Sequence, residues 1–368
     1  MDLKTTFHKL NFRAFLPYLL ALTVVFTSCD DDSNETPTLQ GALVINAGGF
    51  GNGDGSIDIY DEETQTIQNK AFAKANSREL AATIESILIY NGQGVIMCNT
   101  ADKVEFFDPS TLTSLVAPIE SVVVPRYAAG NGNFLYVTCW GAWGENWDLP
   151  DSYIAKIDLS THEVVKEIPV GDGAEGILIH DGKIFVANPY AYPATVEVYD
   201  ISNDELVKTL SFDASPQRLV LDKNNQIWVS LTNGFPASAN GVAKINPQTL
   251  EVETKVTLEG IDSYGKIALN SSKDEVLVLA VEPYTEENNG ENLASEVWIL
   301  DTDTESFDSS PVISGVSFSG IGCNPSTGNI YVAKAPSYAS NGSILIYDEQ
   351  GQLVDEATAG IGPYQFVF

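Results

Sequence analysis

Nine aromatic side chains stand in stretches of this sequence that otherwise read as loops: Phe50, Trp140, Trp143, Trp147, Tyr190, Tyr192, Phe235, Tyr284 and Tyr338. Three of the five Trp fall within residues 140–147. Rigid rings lose little entropy on binding, so they serve as anchors in recognition surfaces. Packing of loop against loop is the alternative use of the same rings. Arg78, Arg126, Arg218, Lys266, Tyr127, Tyr264 and Tyr364 precede or begin short apolar runs. In a chain with 50 Asp+Glu against 19 Lys+Arg, three such Arg are candidate ligand donors or counter-charges for nearby acids.

Other chemistry is thinly supplied. Of three His, His8 lies in the N-terminal apolar leader, leaving His162 and His180. Neither falls near the aromatic loops, so a Ser-His-Asp or His-metal mechanism has little support. The stretch Asn52-Gly53-Asp54-Gly55-Ser56-Ile57-Asp58 echoes the middle of an EF-hand loop, but Phe50 stands where its first acid belongs. Asp301-Thr302-Asp303-Thr304-Glu305 reads as a turn, and residues 286–291 as a solvated polar insertion. No catalytic set, no metal and no cofactor is expected. The net charge of −31 excludes a generic grip on nucleic acid, which needs a basic face. It also argues against docking on anionic lipid through protein charge.

The elements that must position these residues are repeated. A β-rich run ending in Asp or Asn recurs at Asp61, Asp108, Asp158, Asp200, Asn246, Asp301 and Asp348. Asp or Asn at that point can bond the backbone two residues on and close a tight turn. Around each run lie three more short strands, for example residues 176–180, 183–188, 195–199 and 206–210, with Asp181-Gly182 as a hairpin signal. No segment carries a sustained helical period. Four antiparallel strands every forty to fifty residues predict an all-β, seven-bladed β-propeller. The first repeat lacks its first strand, and the chain ends on residues 362–368, which read as a first strand with nothing after it. The C-terminal strand is therefore expected to complete the N-terminal blade and close the ring. In such a blade the connections between strands two and three share one face with the blade-to-blade links. The aromatic loops and Arg126 and Arg218 belong to that face; His162 and His180 belong to the other.

Residues 184–188, 195–200 and 206–210, with Phe134-Leu135-Tyr136-Val137-Thr138, resemble the repeat of YVTN-type seven-bladed propellers. The first residues carry an address. Lys4, Lys9 and Arg13 precede the apolar run 14–26, too short to span a bilayer comfortably. Phe26-Thr27-Ser28-Cys29 resembles a lipobox, with Cys29 as the lipidated residue. Asp30-Asp31-Asp32 and the polar stretch after it resemble the tether of surface-displayed Gram-negative lipoproteins. The expected organisation is a signal peptide over 1–28, a lipidated acidic tether over 29–41 and the propeller over 42–368. The remaining Cys98, Cys139 and Cys323 read as buried small hydrophobes, with a Cys98–Cys139 bridge left open.

Together these features resemble surface propellers that accompany outer-membrane nutrient transporters, one group of which captures cobalamin. The resemblance implies a non-enzymatic, cell-surface outer-membrane lipoprotein, membrane-bound through its lipid alone. It would capture a ligand such as a corrinoid on Trp140, Trp143, Trp147, Tyr190, Tyr192, Phe235, Tyr284, Tyr338, Arg126 and Arg218. A TonB-dependent transporter barrel would be its partner. A glycan- or protein-binding surface module is the second reading, and a propeller enzyme such as a lactonase the third.

Overall fold

Runs such as Leu43-Val44-Ile45, Val95-Ile96-Met97 and Val276-Leu277-Val278-Leu279 have no polar alternation, so both faces of these strands must be covered. A computed structural model describes residues 41–49, 51–232, 240–258, 262–283 (backbone alone at 262–264), 292–337 and 339–368. In it each of these runs is the second strand of a four-stranded antiparallel blade, buried almost throughout between two neighbouring blades. Fourth strands such as Glu163–Pro169 and Glu205–Phe212 form the outer edge and are mostly exposed.

Seven blades form the ring within the unit Pro37–Phe368. The C-terminal strand Pro363–Val367 pairs with Gly41–Asn46 and is the inner strand of blade one, as the sequence predicts. The other inner strands are Ile84–Tyr90, Pro125–Asn131, Ile177–His180, Ser215–Leu221, Asp262–Leu269 and Phe318–Cys323. Blade six has a divided outer edge: Ser306–Phe307 and Ile313–Val316 both pair with Ala294–Asp301.

Each blade-to-blade seam holds its own apolar cluster. Leu43, Phe72, Ile96 and Phe107 join blades one and two; Val95, Phe106 and Val137 join two and three. Val44, Tyr60, Tyr331, Ile344 and Phe366 join seven back to one. Burying each Val, Leu, Ile or Phe contributes roughly 1.5–3 kcal/mol, so the seams hold the ring.

The recurrent Asp and Asn residues behave as their chemistry predicts. The carboxylate of Asp108 accepts from the Ser110 and Thr111 amides at 2.8 and 3.2 Å. Asp61, Asp158, Asp200, Asn246, Asp301 and Asp348 cap the equivalent turns. One element is unannounced in the sequence: the helix Ala71–Asn76 in the link from blade one to blade two. At under two turns it is too short to display a helical period.

Candidate functional site

The site forms where the inner strands begin, because there their pairing slips. The register shifts between Ile45 and Asn46 opposite Tyr364, between Ile84 and Ser86, and between Pro125 and Ala128. It shifts again between Pro216 and Leu219, Ser263 and Ile267, and Phe318 and Gly320. A β-bulge leaves residues unpaired and re-aims their side chains. The residues so released include Tyr364, Glu85, Arg126, Tyr127, Arg218 and Lys266. Bulges at one level in six of the seven blades turn these side chains toward the mouth of the central channel.

Arg126 is the centre of the cluster. Its Nε and Nη2 donate to the two carboxylate oxygens of Glu175, both at 2.8 Å, and its Nη1 donates to Glu85 Oε2 at 2.6 Å. The Tyr127 hydroxyl donates to the other Glu85 oxygen at 2.6 Å. Burial opposes the Arg126 charge, but Glu175 and Glu85 beside it hold the guanidinium above its ordinary pKa. Burial raises the Glu85 carboxyl, with Arg126 opposing. Burial also raises the phenols of Tyr127 and Tyr364 well above the usual range, so both are neutral donors. The Tyr364 hydroxyl donates to the Ile84 carbonyl at 2.8 Å.

A ladder of rings climbs from this centre to solvent. Arg126 Cζ lies 4.0 Å from the Trp140 ring, whose Nε1 donates to Glu175 at 3.1 Å. Trp140 meets Tyr190 and Trp143 edge-on, with centroids 5.3 and 5.6 Å away, and Trp143 meets Trp147 at 6.1 Å. Exposure rises outward: Trp140 is half-buried, Trp143 46% exposed, Tyr190 51%, Trp147 81%. Loose solvent-seeking side chains do not build such a gradient; the inner rings are braced and offer one edge or face.

Local sequence explains the bracing. Gly141, at φ 72°, brings its own Cα so near the Asp151 carbonyl that a Cβ would stand 2.3 Å from the oxygen, which pinches the loop shut. Gly173, at φ 74°, leaves the space that the Tyr190 ring occupies. The Ser152 hydroxyl donates to the Trp140 carbonyl at 2.9 Å and accepts from the Gly173 amide at 2.9 Å. Trp147 is held at φ 62°, a conformation that costs roughly 1–3 kcal/mol for a bulky residue.

The expected site residues thus divide. Trp140, Trp143, Trp147, Tyr190 and Arg126 form one connected surface, and Arg218 adjoins it through Tyr127. Tyr192 is 87% exposed, on the same loop as Tyr190. Phe50, Phe235, Tyr284, Tyr338, the Tyr264 side chain, Cys29 with the leader and the tether up to residue 40, and the polar insertion 286–291 lie outside the described residues, while Gly41 already belongs to the first strand.

Of the two roles open to the three Arg, Arg78 takes that of counter-charge, and it does not join the mouth, where its place before an inner strand would put it. It lies away from the mouth, bonded to both oxygens of the buried Glu105 at 2.9 and 2.6 Å and to Ser114. The helix Ala71–Asn76 carries the chain outward there, and Arg78 covers the Phe72 ring at 5.3 Å.

Glu85 and Glu175, the two carboxylates that organise the centre, escape a sequence reading focused on rings and bases. Their signal is positional: both stand at the entry to an inner strand, as Arg126 does. His162 Nε2 donates to the Gln93 side-chain oxygen at 2.8 Å and His180 sits by Asp181, both among the tight turns of the far face. Cys98, Cys139 and Cys323 are free and buried, and burial pushes their thiols up to about 12, 12 and 11.

The architecture has many solved counterparts. A quinonprotein alcohol dehydrogenase-like protein from Bacteroides thetaiotaomicron superposes with a TM-score of 0.66 at 16% identity, over 90% of this chain and 78% of that one. The hydrazine synthase of Kuenenia stuttgartiensis gives 0.61 at 17% identity, over 74% and 84%. A dihydro-heme d1 dehydrogenase gives 0.55 at 11%, over 90% and 75%. Likeness at these identities is likeness of fold alone. No curated protein matches the sequence. The family model described as Domain of unknown function (DUF5074) matches residues 40–364, almost the whole ring, and the chain belongs to that family.

Proposed function

We propose that this propeller is a non-enzymatic capture protein, displayed on the outer membrane by a lipid on Cys29, whose ligand docks at the channel mouth against the Trp140–Trp143–Tyr190 ladder. One observation carries the reading. Half-exposed rings are held in fixed orientation by a buried ion-pair centre on the face where the long loops gather. Binding hot spots combine such aromatic anchors with desolvated Arg. A bulky, partly apolar ligand fringed with amides, such as a corrinoid, suits a surface that offers ring edges beside charged donors and acceptors. A transporter barrel would then receive it.

Glycan binding is the second reading. It is favoured by the exposed faces of Trp143, Trp147 and Tyr190, ring types that stack on sugars. Equilibrium binding of a corrinoid, haem and glycan panel to the full chain separates the two. Saturable corrinoid binding supports capture of that class, glycan binding alone supports the second, and no binding by any member rejects both. The display half is tested separately: Cys29→Ser releases the protein from membranes, and a variant that partitions into detergent like its parent rejects the lipid anchor.

A further inference from the structure

Arg218 has donors to spare. Its guanidinium carbon lies over the Tyr127 ring, 3.4 Å from the centroid, as stacking requires. That stacking leaves the in-plane N–H groups free at the edge of the fork. Arg126 next door, by contrast, is ion-paired on both sides, by Glu85 and by Glu175. No carboxylate of a described residue stands within ion-pair distance of Arg218, and the same holds for Lys266, whose Nζ lies 4.8 Å over the Tyr364 ring.

The space in front of Arg218 is open. A cavity of about 210 Å³ lies between the inner strands, lined by Arg218 with Ser86, Tyr127, Gly176 and Gln365. At about 30 Å³ per water it has room for several waters or one small charged group. Arg218 is the one charged residue of the lining; Arg126, Lys266, Glu85 and Glu175, each next in sequence to a lining residue, interact with it and with one another. Among the described residues three bases thus meet two acids there, in a chain whose net charge is −31. Burial lowers the Lys266 ammonium to about 8 and Arg218 pushes it the same way, while Glu85 and Glu175 oppose them only in part.

We propose that the mouth seats an anionic group of the ligand, a carboxylate or a phosphate, between Arg218 and Lys266, while the ring ladder receives its flat apolar part. This rests on the mouth being the capture site and narrows the ligand class there. A wholly neutral ligand would cover two half-buried cations without pairing them, which is unfavourable. A planar fork presents two donors to one carboxylate or phosphate, and a flexible ammonium beside it adds a point charge.

The test titrates sodium sulfate, and in a second arm sodium acetate, into the full chain at neutral pH. Chloride holds the ionic strength constant, and the melting temperature is read. The expected result is a saturable rise in the native chain, with affinity weakened about tenfold or more in Arg218→Gln and in Lys266→Gln. Arg218→Lys, which keeps the charge and folds without the stacked fork, is expected to fall between. The arm that saturates at lower concentration distinguishes a phosphate-like from a carboxylate group.

A rise that is linear in salt and equal in all four chains is the general exclusion effect of sulfate and overturns the subsite. Trp143→Ala keeps the sulfate response, because the anion does not need the ladder. A panel ligand bound without any anion response refutes the subsite alone. An anion response with no panel ligand bound refutes the capture reading alone.

Discussion

Trp143 and Tyr190 lie on loops of adjacent blades, and both keep about half of their surface exposed. If the ladder binds, Trp143→Ala and Tyr190→Ala each weaken the ligand by about 1–3 kcal/mol. Trp143→Ala changes stability by no more than about 0.5 kcal/mol, the usual cost away from a core. Tyr190→Ala lowers the melting temperature further, because its ring fills the space over Gly173 and packs on Trp140. Affinity and melting temperature are to be measured on the same two proteins. Rings that only brace the loops give the reverse pattern: stability falls with Trp143→Ala and affinity follows it indirectly. Arg126 is the wrong residue for this experiment. Removing it strands the Glu85 and Glu175 carboxylates, and any loss of binding would be mixed with a loss of fold.

At the scale of the element, four of the capped turns tie stability to pH. The Ser110 hydroxyl and amide hold the Asp108 carboxyl below its ordinary range, and Ser160, Ser202 and Thr304 do the same for Asp158, Asp200 and Asp301. Asp274, held by Ser272 and Asn270, is lowered furthest, from 3.8 to about 2. A carboxyl whose folded pKa lies below its unfolded value contributes fully above the unfolded value and loses that contribution as pH falls through the folded one. The acid limb of stability therefore falls between about 4 and about 2.

Asn can close the same turn, as Asn246 does for Gln248 and Thr249, but cannot titrate. Asp108→Asn is thus expected to melt lower than the native chain at neutral pH and to converge with it as pH approaches 2. A difference that stays constant with pH would show that the charge at Asp108 contributes nothing. These turns were legible in advance because the side chain, the bonded amides and the bend all lie within three residues.

On the scale of the whole molecule, closure rests on five residues at the end of the chain. Phe366 is buried against Tyr331 with centroids 5.4 Å apart, Phe368 meets the same ring at 5.0 Å, and Tyr364 reaches across to blade two. Deleting 364–368 removes the inner strand of blade one and opens the seam between blades seven and one. Loss of one buried Phe costs about 3–5 kcal/mol, and a domain has only about 5–15 kcal/mol in all. The truncated chain is expected to lose its cooperative melt or to aggregate through the freed edge of Gly41–Asn46. Calorimetry that returns the native melting temperature would mean that the ring closes by other contacts.

What the sequence determined by itself was what repeats or what is local. Continuous apolar runs marked the second strands because each is covered on both faces. The recurrent Asp and Asn marked the turns, and the unmatched ends at 42–46 and 362–368 marked the closure. The crowding of Trp140, Trp143 and Trp147 marked the face. The mouth itself was settled only by tertiary structure. Arg126 meets Glu85, 41 residues before it, and Glu175, 49 after it, because the inner strands of different blades converge on one axis. A slip of one residue in a strand turns a side chain from one face to the other, and no periodicity in the sequence records where a bulge will fall. Arg78 shows the same limit from the other side. Nothing in its neighbours distinguishes it from Arg126, yet a helix of six residues carries it away to Glu105.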